Sequence, residues 1–267
     1  MKKSLKIIWL VLVLAFIYVP VLVLAVYSFT EATTVGGGMG GFSFENYLNL
    51  FRNEELRGMI FGTVILALVC ATISTALATM GAIGTFYSKK IPKALINTAN
   101  QVPVVNADIV TGFSICILLI VILRVNKDTF IPLGIGHIAL TAPFAYLSIL
   151  PKLKQLDNSL YEAALDLGAT PAQALFKVVI PQLIPGIFSG FMLAVTLSLD
   201  DYFVTTYTKP STFDTISTYV VNATRGSRTE VKTALWALST LIFVIVIAVV
   251  VAMNLLSKKK EGKNEKD

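Results

Sequence analysis

Charged residues are scarce in this chain. Asp, Glu, Lys and Arg make up 14% of its 267 residues, and the mean hydropathy is +0.75. A soluble globular domain carries about 25% charged residues. The scarcity therefore excludes an ordinary soluble protein and indicates an integral membrane protein, for which one domain over residues 1–267 is sufficient.

Histidine and cysteine are almost absent. His137 is the only histidine, which nearly excludes a histidine-based metal site or catalytic triad within this chain. A single histidine in an apolar segment is more often a packed, hydrogen-bonded residue than a proton relay, because a relay needs a partner. Cys70 and Cys116 both lie in apolar segments. We interpret them as small packing residues, not as a disulfide or a metal site.

Catalytic and nucleotide-binding motifs are also missing. The chain has no Walker A sequence, no His-Glu-x-x-His and no Gly-x-Ser-x-Gly, and no Lys-Ser/Thr follows the glycine-rich run at 36–41. We therefore predict a protein that is not an enzyme and holds no cofactor, so that ATP, if used, is bound by a partner. The net charge of +6 does not indicate nucleic-acid binding, because the basic residues form short clusters at the ends of apolar segments.

Six apolar segments are long enough to cross a bilayer. They cover residues 7–29, 59–86, 94–123, 131–150, 187–207 and 234–256. We therefore predict an all-α polytopic fold with six transmembrane helices and both termini on one side. More than half of the 22 basic residues fall in the termini, in the loop after the second segment and in the loop after the fourth. By the positive-inside rule, these regions are cytoplasmic.

The loop at 152–186 carries two successive helix signatures. Ser159 and Glu162 have the spacing of a capping box, and Thr170 and Gln173 repeat it. Apolar residues then recur at i, i+3, i+4 and i+7: Leu160, Ala163, Ala164 and Leu167, followed by Ala172, Leu175, Phe176 and Val179. The pattern predicts two short amphipathic helices in tandem, the first ended by a left-handed Gly168 and the second by Pro181 and Pro185. Exposed apolar faces outside the membrane favour a docking surface for another protein.

This loop resembles the EAA loop of ATP-binding-cassette (ABC) importer permeases, which reads E-A-A, three residues, G, nine residues and I-x-L-P. The matching residues are Glu162, Ala163, Ala164, Gly168, Val178, Ile180 and Pro181, with conservative departures at the two aliphatic positions. The resemblance implies the type I importer (MetI-like) permease fold in a bacterial cytoplasmic membrane. It also implies three partners: an ATPase dimer on the loop, a second, similar permease subunit as a heterodimer, and an extracytoplasmic binding protein.

Three carboxylates lie within the predicted spans, where no Lys or Arg is found in any interior. They are Asp108 in the third span and Asp200 and Asp201 in the fifth. A charged group at that depth is unfavourable unless it faces a cavity or a partner. One interpretation places the three acids, with Ser198 and Tyr202, along a pathway for a cationic solute. The other has them capping broken helix ends or pairing with a basic residue.

Aromatic residues near the acids favour a cationic solute, because an ammonium group binds over an aromatic ring. These residues are Phe144, Tyr146, Tyr202 and Phe203. The segments around the acids resemble polyamine (spermidine/putrescine) permease subunits of ABC importers. The matches are E-N-Y at 45–47, N-A-D-I-V at 106–110, S-L-D-D at 198–201 and E-A-A-x-D-L-G-A at 162–169. Together with these matches, the resemblance extends over nearly the whole chain, and it implies polyamine import with an extracytoplasmic polyamine-binding protein.

Two alternatives remain open at this point. Permeases for other small solutes, such as iron or an anion, share the same scaffold. A secondary transporter that needs no ATPase belongs to another class, and it would carry an inverted repeat or an ion-coupling cluster. No such repeat is evident in the sequence.

Overall fold

The protein is represented by a computed structural model that describes residues 3–32, 38, 40–225, 233, 235–244 and 247. In these ranges the chain is mainly helical, and an isolated bridge between Thr30 and Phe42 is the only β pairing. The helices are α1 (Lys3–Ser28), α2 (Glu45–Arg52), α3 (Glu54–Phe86), α4 (Lys90–Val105), α5 (Asp108–Cys116), α6 (Phe130–Lys154), α7 (Asn158–Asp166), α8 (Pro171–Ala174), α9 (Ile180–Asp200), α10 (Phe203–Thr208), α11 (Ile216–Arg225) and α12 (Leu235–Val244). Two π-helical turns, Ile117–Ile122 and Leu175–Val179, continue α5 and join α8 to α9.

Within the residues that the structure describes, four helical segments are long and apolar enough to span a membrane. They are Lys6–Ser28, Glu54–Phe86, Phe130–Lys154 and Pro171–Asp200, and the bent pair Lys90–Val105 and Asp108–Ile122 makes a fifth if it counts as one span. The predicted sixth span at 234–256 lies mostly outside the described residues. The all-α membrane fold is thus confirmed, whereas the count of six spans stays a prediction.

The chain divides into two compact units, Met1–Gly58 with Val220–Asp267, and Met59–Tyr219. In the first unit, α2 packs on the end of α1, since the buried Asn46 donates hydrogen bonds to the carbonyl oxygens of Ser28 and Thr30, both at 3.1 Å. The second unit contains α4 to α10 and most of α3. That the whole chain forms one permease domain stays a prediction.

The predicted third span is broken. α4 ends at Val105 and α5 begins at Asp108, and their axes differ in direction by 107°. Asn106 and Ala107 between them are extended. Pro103 lies inside α4, so the interruption comes three residues after the proline. Asp108 therefore occupies the first turn of α5, where a carboxylate is favourable, and not the middle of a continuous span.

The predicted fifth span, 187–207, is wrong at both ends. A single helical segment runs from Pro171 to Asp200, so the second short helix of the loop continues into the span. Neither Pro181 nor Pro185 ends it as predicted: Pro181 lies in the first turn of α9, where a proline is tolerated, and Pro185 lies inside that helix. The π-helical turn before it, in which Ile180 N–H bonds to the carbonyl of Leu175, places Pro181 in the first turn of α9.

α6 and α9 pack at close range through small residues. A Cβ atom on Gly190 would lie 3.0 Å from the carbonyl oxygen of Ala145 and 3.3 Å from its Cα. In lipid, such backbone approach drives helix association through van der Waals contact. A buried apolar cluster extends this contact to α3 and the second π-helical turn: Ala78, Ala82, Ala145, Tyr146, Ile149, Leu150, Leu153, Val179 and Leu183.

Replacing Gly190 by Val is expected to separate α6 from α9 and to destabilise the folded protein by about 1–3 kcal/mol, the usual effect of overpacking. The measurement is the temperature at which the detergent-solubilised protein loses its monodisperse elution peak. Gly84→Val on α3 is the matched control, because nothing lies within 4 Å of a Cβ at Gly84. Equal midpoints for the two variants would contradict the close α6–α9 contact.

Candidate functional site: an acidic cleft and an exposed loop

A cleft of about 320 Å³ lies where the α4–α5 break meets the α9–α10 break. Its lining consists of Asp108, Leu140, Phe144, Thr196, Leu197, Asp200, Asp201, Tyr202 and Phe203. No Lys or Arg is part of this lining in the described chain. The cleft therefore combines carboxylates with aromatic rings and carries no compensating basic side chain.

The structure brings together four of the five residues predicted to line a pathway. Asp108, Asp200, Asp201 and Tyr202 all border the cleft. Ser198 does not border the cleft, because it is buried in α9, three residues before Asp201. Of the four predicted aromatic residues, Phe144, Tyr202 and Phe203 line the cleft, whereas Tyr146 of α6 lies in the apolar core with residues of α3.

Asp108 and Asp200 differ from Asp201 in their surroundings. Both are exposed, and neither makes a hydrogen bond or ion pair with another described residue. Asp201 is buried, with a side chain only 2% exposed. Two carboxylates of the cleft are thus available to a solute.

Asp201 caps α10. Its Oδ1 accepts a hydrogen bond from the Val204 N–H at 3.2 Å, and its Oδ2 accepts from the Thr205 N–H and hydroxyl, both at 2.7 Å. The first N–H groups of a helix have no partner within the helix, and a carboxylate supplies one. The helix-capping interpretation left open by the sequence is therefore correct for Asp201.

His137 is a packed, hydrogen-bonded residue, as predicted. It is fully buried in α6, with Nδ1 2.8 Å from the Ser198 hydroxyl and Nε2 3.0 Å from the Thr205 hydroxyl. Sequence reasoning missed Thr205, although the Asp-x-x-x-Thr spacing from Asp201 is a signal for a capped helix start.

Two glycines hold α10 against its neighbours. A Cβ on Gly112 of α5 would lie 2.9 Å from the Cα of Val204, and a Cβ on Gly136 of α6 would lie 2.7 Å from the Val204 Cγ1. α10 therefore fits between α5 and α6 only because both positions lack a side chain. No local sequence signal marks either glycine.

The loop after α6 begins differently from the prediction. Asp157, not Ser159, is the N-cap of α7, and its carboxylate accepts the Ser159 N–H at 2.9 Å. That hydrogen bond holds the pKa of Asp157 below its ordinary value. The Ser159–Glu162 capping box is therefore wrong, because the carboxylate two residues earlier takes the capping position.

The predicted end of α7 at Gly168 and the predicted Thr170–Gln173 capping box are both confirmed. Gly168 has φ +85°, and the Gly168 N–H bonds to the Leu165 carbonyl at 2.9 Å. The Ala169 N–H bonds to the Ala164 carbonyl at 3.0 Å, which completes a Schellman motif. Thr170 and Gln173 form a reciprocal capping box.

The loop exposes apolar side chains. Leu167 is 90% exposed and Phe176 65% exposed, beside a half-exposed Leu160. Of the motif residues, the exposed ones are Glu162, Ala163, Gly168 and Pro181, and the half-buried ones are Ala164, Val178 and Ile180. The structure thus presents the motif and these exposed apolar side chains on the same short segment.

Comparison with known proteins identifies the family. Residues 79–262 match the family described as binding-protein-dependent transport system inner membrane component. The chain belongs to this family. It is therefore a multi-pass membrane protein and a transport component.

Individual relatives agree over most of the chain. The spermidine/putrescine transport system permease protein PotC of Haemophilus influenzae is 28% identical over 248 residues, which cover 92% of this chain and 94% of that protein. The putrescine transport system permease protein PotI of Escherichia coli K12 is 30% identical over 247 residues, covering 89% and 85%.

A solved structure confirms the fold. A chain of a bacterial ABC transporter that imports the acidic polysaccharide alginate superposes with a TM-score of 0.70 and 19% identity, covering 96% of this chain and 94% of that chain. The predicted ABC importer permease fold is thus confirmed, and at this identity the likeness concerns the fold alone.

The two glycines that contact Val204 are expected to respond differently to its truncation. Gly136→Ala clashes with the Val204 side chain, so adding Val204→Ala should restore the protein. Gly112→Ala clashes with the Val204 backbone, so the same addition should not restore it. The thermal midpoint of each purified single and double variant measures this. Equal rescue of both glycine variants would show that α10 does not lie between α5 and α6 as described.

Proposed function

We propose that this chain is the permease subunit of an ABC importer for polyamines such as spermidine and putrescine, and that it forms half of the translocation pathway. The acidic cleft carries this proposal. It holds two carboxylates without a described partner, Asp108 and Asp200, and three aromatic rings. The polyamine substrates in the names of relatives over most of the chain support it.

The chemistry of the cleft suits a flexible di- or triamine. Each ammonium group gains from a carboxylate, and in a partly dry site the attraction exceeds the roughly 1 kcal/mol found in water. Phe144, Tyr202 and Phe203 offer ring faces to an ammonium group and apolar surface to the methylene segments. Two exposed acids, open to water, make a site weak enough to release its solute, which transport requires.

The charge of the cleft distinguishes the alternative solutes. An anion is repelled by Asp108 and Asp200, although the shared fold also serves an importer of an acidic polysaccharide. Iron is disfavoured, since no group of three or more His, Cys, Asp or Glu in the described residues could hold a metal ion. Family membership disfavours a secondary transporter, which needs no binding protein.

The loop after α6 is proposed to dock on a cytoplasmic ATPase dimer that binds and hydrolyses ATP for this chain. The exposed Leu167 and Phe176 support a protein partner, because isolated apolar side chains of this size favour burial. With the loop in the cytoplasm, both termini lie there too. A second, similar permease subunit would complete the pathway as a heterodimer, and an extracytoplasmic polyamine-binding protein would deliver the solute.

One continuous helix provides the coupling. The segment Pro171–Asp200 begins in the loop and ends at the cleft, so it is about 45 Å long at 1.5 Å per residue. A displacement of the loop when the ATPase closes would therefore move Asp200 directly. ATP and the binding protein would bias two states of the cleft, one open to each side.

Removing the cleft charges is expected to reduce uptake. Asp108→Asn and Asp200→Asn keep size and hydrogen-bonding capacity but remove the charge, so each should lower uptake of radiolabelled spermidine and putrescine by about tenfold, the equivalent of ~1.4 kcal/mol. The assay uses cells that lack other polyamine importers, with membrane levels measured in parallel.

Two further variants make this test specific. Asp128→Asn removes a carboxylate that bonds to Ser211, outside the cleft, and should transport normally. Asp201→Asn should lower the amount of folded protein, because an amide nitrogen cannot accept the Thr205 N–H. Wild-type uptake in both Asp108→Asn and Asp200→Asn would refute the carboxylate pathway.

Changes in the loop are expected to uncouple ATP hydrolysis from uptake. Ala164→Asp adds charge to the docking helix, and Gly168→Val strains a left-handed position by about 1–2 kcal/mol. Both should leave the protein inserted while substrate-stimulated ATPase activity and uptake fall in reconstituted complexes. Ser159→Ala is the control, because Asp157 caps the helix. Normal coupling in Ala164→Asp would exclude docking at this face.

A further inference from the structure

Four buried side chains form a continuous hydrogen-bond chain beneath the cleft. It runs from Ser198 to His137 (2.8 Å), from His137 to Thr205 (3.0 Å) and from Thr205 to Asp201 (2.7 Å). All four are buried. The His137 Nε2 and Asp201 Oδ2 atoms are 3.8 Å apart, which is too long for a direct hydrogen bond, so the Thr205 hydroxyl bridges them.

One assignment of donors and acceptors satisfies every group in this hydrogen-bond network. Thr205 has a single hydroxyl proton, and its shortest contact is to the Asp201 carboxylate, which only accepts. The His137 Nε2 must then carry a proton and donate it to the Thr205 oxygen. Its Nδ1 is left as an acceptor for the Ser198 hydroxyl, so the imidazole is neutral.

Further hydrogen bonds hold both ends of this network in place. The Thr141 hydroxyl donates to the His137 carbonyl at 2.8 Å, and Ser74 of α3 lies 2.6 Å from Thr141. At the other end, the Ser217 hydroxyl donates to the Asp201 carbonyl. Buried polar groups in a span are stable only when each has a partner, which makes such a network rigid.

We propose that His137 is a positioning residue for the solute cleft. Through Thr205 it holds the Asp201 cap, and this fixes the extended step at which α9 ends. Asp200 and Tyr202 flank Asp201 in the sequence, so their places in the cleft depend on it. Asp201 is then a structural acid and not a solute ligand. The identity of the solute rests on the proposed function, whereas the network does not.

A substitution at Thr205 can remove the hydroxyl that joins His137 to Asp201 without removing the backbone hydrogen bonds by which Asp201 caps α10. Thr205→Val has nearly the same shape and keeps the backbone N–H bonds to Asp201, but it removes the bridging hydroxyl. Thr205→Ser retains that hydroxyl. His137→Leu and His137→Gln form a second pair, since the glutamine amide can place an N–H donor near the former Nε2.

The first measurement is polyamine uptake at equal membrane levels of each variant. Thr205→Val and His137→Leu should lower it by about tenfold, the effect expected for a lost buried hydrogen bond. Thr205→Ser and His137→Gln should restore it to within about threefold of wild type. Should His137→Leu fail to insert, the Thr205 pair decides alone.

The second measurement needs no transport. The alkylation rate of Asp200→Cys, in a chain with Cys70 and Cys116 replaced by Ala, reports how the cleft presents this position. Adding Thr205→Val should change the rate at least threefold, and adding Thr205→Ser should leave it unchanged.

The two measurements separate the two proposals. A change in alkylation without any polyamine uptake by the wild type would refute the polyamine assignment and support the role of His137. Normal uptake together with equal alkylation in the Thr205→Val and Thr205→Ser backgrounds would overturn that role.

Discussion

A helix that stops inside a membrane leaves backbone N–H and C=O groups with no water to bind, and this constraint governs the second unit. At the α9–α10 break, the Asp201 carboxylate accepts the N–H groups of Val204 and Thr205. The Asp201 carbonyl accepts the Ser217 hydroxyl. The break is therefore closed by side chains of the protein itself, and without Asp201 the start of α10 would have unpaired donors.

Closing the breaks internally determines where charge can be exposed. The Asp201 carboxylate accepts hydrogen bonds from α10. It therefore adds little exposed charge to the cleft, although it borders it. Asp108 begins α5 after a second break, and Asp200 ends α9 just before the first. Because both acids stand at helix ends that meet at one cleft, a membrane segment can present two carboxylates without burying either in lipid.

Local signals allowed part of this to be predicted from the sequence. The left-handed Gly168 and the Thr170 cap each depend on a few neighbouring residues, and both were predicted correctly. The spacing to Glu162 favours Ser159 as the N-cap of α7. Asp157, two residues earlier, is an equally good hydrogen-bond acceptor for the first N–H groups, and hydropathy does not distinguish the two positions. The helix break at Asp201 cannot be predicted from hydropathy, because it lies within an apolar run whose composition indicates a continuous span.

The contacts that hold the broken segments are non-local, and no periodicity reveals them. Gly112 and Gly136 both contact Val204, so their role exists only once α5, α6 and α10 are assembled. The same is true of the long helix from Pro171 to Asp200, since a proline at its loop end suggested a stop. Its π-helical turn lets the chain pass that proline and remain helical. One helical segment therefore joins the exposed loop to the acidic cleft, and this is the connection that the proposed coupling between them uses.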